Sequence, residues 1–201
     1  ATVGVNETVE VSYEVTVSAA MPKGEAAVFT LTATSGAYSN ANTISHRVGL
    51  EVANFENGLE GFEWENDPEH PWTVVATEPH SGNYCLQSGT IGHNQTSTLT
   101  LHFKVENPTD EIRFFRRTDC DSHDNLKFFI DGTEMQQWNG TLNWREFVFD
   151  VTQGEHTFTC TYEKDASGTS GADHVWLDDI LFPVSHIDYA CNAGADQQLC
   201  Q

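Results

Sequence analysis

The chain has 201 residues, room for one large domain or two small ones. Nine lysines and arginines stand against thirty aspartates and glutamates, a net charge of −21, yet only 19% of residues are charged, so this is not a charge-dense disordered tail. The acidity argues against a nucleic-acid surface, which needs a basic stripe, and against docking on anionic lipid; with 38% apolar and 11% aromatic residues there is enough to fill a core.

Helical periodicity is almost absent and apolar–polar alternation prevails, so the expected class is all-β. Val9–Val17 alternates throughout and reads as a half-buried strand. Ala27–Ala33 is a second, reached through Met21-Pro22-Lys23-Gly24. Two or three strands do not close a sandwich. Residues 1–50 are therefore expected to pack on the main domain, to pair with another chain, or to be the tail of a domain cut short.

From Leu50 onward aromatics become dense and turn signals recur at sandwich spacing. The candidate strands are Thr73–Ala76, Tyr84–Gln87, Ser97–Val105, Glu111–Arg116, Leu126–Ile130, Arg145–Asp150, Gly154–Glu163 and His174–Phe182. Ile130-Asp131-Gly132-Thr133 is a hairpin signal, because Asp-Gly supplies the positive-φ positions. Asp165 to Asp173 is a polar loop, and Cys191–Gln201 reads as a linker or the start of another module. No run approaches the ~20 apolar residues of a membrane span, and no signal peptide opens the chain, which is expected to be a mature product or an excised piece.

The five cysteines, Cys85, Cys120, Cys160, Cys191 and Cys200, include no CxxC pair, so a structural zinc site is not expected. A bond between Cys191 and Cys200 would close a short polar loop and stabilise it by about 2–3 kcal/mol in the chain-entropy model. The odd count leaves at least one thiol free or paired with another chain. No HExxH and no GxSxG occurs, and no cysteine stands in a protease context, so an enzyme is not expected. Arg113, Arg116 and Arg117 form the basic cluster. Alternation puts Arg113 and Arg117 on one strand face with Phe115, and Arg116 on the other with Phe114. Trp64, Trp72 and Trp138 lie at polar loops, where exposed rings could stack on sugar faces; a jelly-roll core also consumes aromatics, and Trp176 is expected inside.

Two short signatures flank the larger region: Phe55-Glu56-Asn57-Gly58 opens it and Trp176-Leu177-Asp178-Asp179-Ile180 closes it. Between them lie Trp72-Thr73-Val74, Ser81-Gly82-Asn83-Tyr84, Asp124-Asn125-Leu126, Trp138-Asn139-Gly140 and Tyr162-Glu163-Lys164-Asp165. This order resembles the jelly-roll modules of large secreted bacterial proteins, the cleaved adhesin domains of gingipain-type peptidases among them, which are similar in turn to MAM domains and carbohydrate-binding modules. The resemblance covers about residues 51–184 and implies a jelly-roll β-sandwich.

It implies a site as well. In such modules a Glu on the first strand and an Asp on the last share a structural calcium, and these positions fall on Glu56 and Asp178, with Asp179 as the alternative. Ser81, in the turn His80-Ser81-Gly82, is placed to offer carbonyls. Asp124 and Asp173 both sit in recurring motifs and, beside Asp119 and Asp121, mark a second acidic cluster, read either as a further cation site or as a solvated loop. Residues 1–50 look like the last strands of an immunoglobulin-like module, and 185–201 like the entry to a further one.

The function implied is non-catalytic adhesion or recognition by a secreted or cell-surface modular bacterial protein, with calcium fixing loops. A carbohydrate-binding module serving an attached hydrolase or peptidase is the first alternative, and a stalk or fibre unit assembling by strand addition the second. The partners implied are a host or cell-surface protein or glycan, or neighbouring copies of the chain; neither nucleic acid nor membrane insertion is expected.

Overall fold

The computed structural model describes residues 21, 24–36 and 38–185. The expected strand Val9–Val17 and the Cys191–Cys200 pairing lie outside them. The chain divides into two compact units, Ala1–Gly49 and Leu50–Gln201.

In the first unit β1 (Ala26–Ser35) and β2 (Tyr38–Arg47) form an antiparallel hairpin in unbroken register, Ala26↔Arg47 to Ser35↔Tyr38. Gly36 turns the chain at φ +60°. Two backbone bonds close the base, Gly24 N–H to Val48 C=O and Val48 N–H to Glu25 C=O. β2 escapes the alternation rule because its sequence, YSNANTISHR, is polar on both faces.

The second unit is all-β. Its strands are β3 (Val52–Ala53), β4 (Trp64–Asn66), β5 (Thr73–Val75), β6 (Cys85–Gln87), β7 (Thr96–Asp119), β8 (Asn125–Ile130), β9 (Thr133–Asn139), β10 (Thr141–Glu163) and β11 (His174–Leu181). They hydrogen-bond in the order β5-β6-β11-β7-β10-β8-β9, with β3 on β11 and β4 on β7. The frame is the antiparallel pair β7–β10, matched from Thr141↔Asp119 to Glu163↔Thr96. The first half of β7 carries β4, and the second half of β10 carries β8. The second half of β7 carries β11. The sheet therefore curls over one core instead of lying flat.

Burial parity shows where it turns. Along β7 the buried residues are odd-numbered at first (Leu99, Leu101, Phe103, Val105) and even-numbered afterwards (Ile112, Phe114, Arg116, Thr118). Along β10 the inward residues change from Phe147, Phe149 and Val151 to Phe158, Cys160 and Tyr162. Both switches fall at the same rung, the register shift between Thr152 and Gly154. An inserted residue moves every later side chain to the opposite face. Pro108, which has no N–H to donate, stands in the turned stretch of β7. Asp110 braces the corner: its carboxylate accepts from the N–H groups of Val184 (3.0 Å) and Glu111 (2.8 Å) and from Asn107 Nδ2 (3.0 Å).

The core is aromatic, with Phe114, Phe128, Phe149 and Trp138 in tilted and edge-on contact. The expected hairpin closes β8 and β9, with φ +52° at Asp131 and +76° at Gly132, the double positive pair that matches the strand twist.

Candidate functional site

The last strand and the segment before β4 converge on one loop, 78–84. Asp178 on β11 is fully buried; its Oδ2 accepts from the N–H groups of His80 (2.9 Å) and Ser81 (3.2 Å), and its Oδ1 from that of Asp179 (2.8 Å). Burial pushes its carboxyl up to about 6, and the neighbouring Asp179 adds to this, against the three N–H donors. Glu56 grips the other end of the loop. Its Oε1 accepts from the N–H groups of Asn83 (2.7 Å) and Tyr84 (2.9 Å), and its Oε2 from Asn83 Nδ2 (3.0 Å). The Asn83 donors, foremost, hold the Glu56 carboxyl below its usual range. Gly82 lies between the two grips: at φ +60°, a Cβ there would stand 2.3 Å from Glu56 Oε1. Asp179 completes the clamp, bonded to His80 Nδ1 (2.7 Å) and accepting from Ser81 Oγ (2.9 Å).

Glu56, Ser81, Asp178 and Asp179 are thus brought to one loop by strands far apart in sequence. The donor set suits a cation in one respect: Asp178 is a wholly buried anion with no lysine or arginine paired to it among the described residues. Calcium takes six to eight oxygens. Among the described residues no group of three or more His, Cys, Asp and Glu is arranged to hold a metal ion, so most of those oxygens would be loop carbonyls and water.

The second acidic cluster has its own cation. Lys164 Nζ is buried against Asp173, which also accepts from Tyr162 Oη (3.2 Å), and lies 3.8 Å from Asp124 Oδ2. Asp124 is fully buried and accepts from the Asp165 N–H (3.0 Å). Asp124 and Asp173 do meet in space, but the Lys164 ammonium supplies the positive charge between them.

The tryptophans expected to meet sugar are placed otherwise. Trp72 is 1% exposed and Trp138 5%, both with their rings in the core: Trp138 is the one buried position of β9, and Trp72, just before β5, has its backbone held by the Asn66 amide. Trp64 is half-buried and tilts against Phe62 and Phe182. The ring that reaches the outer face is Trp144, which is not one of those three. It lies within the register shift between Leu142 and Arg145, on the outward parity of the exposed Glu146 and Val148. Its Nε1 donates to the Glu78 carbonyl (2.9 Å), and its ring meets that of His80 edge-on at 5.9 Å. His80 in turn stacks on Phe115 at 3.5 Å. Beside this shelf Arg117 covers Trp176 (4.6 Å) and pairs with the exposed Glu78 (2.8 Å). The loop that Glu56 and Asp178 hold is therefore the loop that seats the aromatic shelf.

No protein-family profile matches the chain, and no curated protein matches it. Solved structures do. The K2 cleaved adhesin domain of Lys-gingipain aligns over 68% of this chain and 99% of its own, at 15% identity and a TM-score of 0.51. The fold is a jelly roll. The K1 cleaved adhesin domain of Lys-gingipain from Porphyromonas gingivalis W83 aligns over 68% of this chain and 99% of its own (14% identity, TM-score 0.48). The module TmCBM61, solved in complex with β-1,4-galactotriose, aligns over 65% and 94% (17% identity, TM-score 0.46). Cleaved adhesin domains are among the modules that the motifs resemble, and at 15% identity the likeness to the K2 domain is one of fold.

Proposed function

We propose that the second unit is a non-catalytic recognition module of a secreted or cell-surface protein, and that it binds carbohydrate on the shelf formed by His80, Phe115 and Trp144. One observation carries this reading: three aromatic rings lie together on an outer sheet face, half-exposed, with a guanidinium and a carboxylate alongside. Stacked rings take the apolar face of a sugar, while charged rim groups take its hydroxyls. Calcium held by Glu56 and Asp178, with carbonyls of the 80–84 loop, fixes the loop that carries His80. In this reading the ion is structural and performs no step.

The test is a glycan array, galactan and xylan oligosaccharides included, probed with the whole chain in calcium and again in chelator. Binding that weakens in chelator supports the reading. A blank array in both conditions rejects it.

A further inference from the structure

Leu50 to Ser185 contains seven lysines and arginines. Lys104, Arg113, Arg117, Lys127 and Lys164 each have a carboxylate within ion-pair reach. Arg116 and Arg145 have none among the described residues, and these two stand directly opposite each other in the β7–β10 ladder. Like charges placed so are destabilising. In a chain with thirty acids, compensation was within easy reach of substitution.

The surroundings are built around the pair. Both guanidinium carbons lie over the same ring, Phe147, at 5.0 Å for Arg116 and 5.6 Å for Arg145, and Arg116 also lies over Trp138 at 5.6 Å. Arg116 is only 4% exposed; one Nη donates to the Asn143 carbonyl (3.0 Å), and its Nε is buried without a partner. Arg145 is exposed, on the half of β10 that pairs with β7 alone, so a free sheet edge leads to it. Burial first, and Arg145 second, lower the Arg116 guanidinium to about 10, the response of a cation lacking an anion.

We propose that Arg116 and Arg145 form an anion subsite that takes the carboxylate of an acidic sugar residue, a uronate. A carboxylate offers two oxygens to the planar guanidinium fork, and it replaces the repulsion of the pair by attraction. The choice of a sugar rests on the shelf reading: Trp144 immediately precedes Arg145 at this free edge, so one oligosaccharide bending round the edge meets both.

The test is residue-specific NMR on the whole chain, following the arginine Nε–Hε signals and the tryptophan indole signals. Sodium glucuronate is expected to shift the Arg116 and Arg145 signals saturably. Glucose, or sodium chloride at matched ionic strength, leaves them still. Arg145→Gln is expected to weaken the glucuronate response by about tenfold, one lost charged contact, while the melting temperature holds or rises. The proposal is overturned if glucuronate moves neither signal, if sodium chloride moves them equally, or if an aspartate-rich peptide moves them and glucuronate does not. Neutral oligosaccharides that leave the Trp144 indole unmoved reject the shelf, whatever the arginines do.

Discussion

Gly82 is the residue on which the clamp depends most narrowly. A methyl group there meets Glu56 Oε1 at 2.3 Å on a backbone at φ +60°. Gly82→Ala is therefore expected to destabilise the metal-free chain by about 1–3 kcal/mol, the scale of a strained φ position, read by urea unfolding; an unchanged midpoint would mean the loop yields freely. The thiols make a second test. Burial pushes Cys85, Cys120 and Cys160 up to about 12 from 9.0. A raised folded value keeps the proton on in the native state, so their contribution to stability is whole below about pH 9 and is lost as pH rises towards 12. These thiols are expected to resist iodoacetamide at pH 8 until denaturant is added, with mass spectrometry as the readout. At this scale the sequence singled out Glu56, Ser81 and Asp178 as cation ligands, since they stand in recognisable runs; that the two carboxylates hold the loop through its N–H groups is what the structure adds. Trp144 was legible only in part: alternation with Phe147 and Phe149 sets it outward, but no residue pattern says that its ring meets His80, which stacks on Phe115.

At the scale of elements, β7 and β10 each read as two strands in the sequence: Ser97–Val105 with Glu111–Arg116, and Arg145–Asp150 with Gly154–Glu163. The segments are right and the breaks are real, but the ladder runs through them. What looks like the end of a strand is a corner, where burial parity switches while the hydrogen bonding continues. β9, Thr133–Asn139, was missed because most of its residues are exposed polar ones and Trp138 is its single buried side chain. Asp110→Ala, which deprives the N–H groups of Val184 and Glu111 of their acceptor at the corner, is expected to destabilise the fold by about 1–3 kcal/mol. Chemical denaturation measures this, and a change under half a kilocalorie (about the size of an ordinary surface substitution) would relieve Asp110 of the role.

For the molecule as a whole, the charge of −21 divides by use. A few acids hold a loop or face Lys164, and most of the rest clothe the surface. Among the described residues the buried Asp178 has no lysine or arginine paired with it, and it is there that the proposed calcium would draw on the excess acid. Chelation is expected to lower the melting temperature of the chain, with calcium restoring it and magnesium restoring it less; scanning calorimetry showing one melting curve in all three conditions would remove calcium from the account. The shelf is tested by isothermal titration of the strongest array ligand into the wild-type chain and into Trp144→Ala. Trp144→Ala is expected to weaken binding at least about tenfold, the loss of one stacked ring, at an unchanged melting temperature. Equal affinity in the two proteins would contradict it.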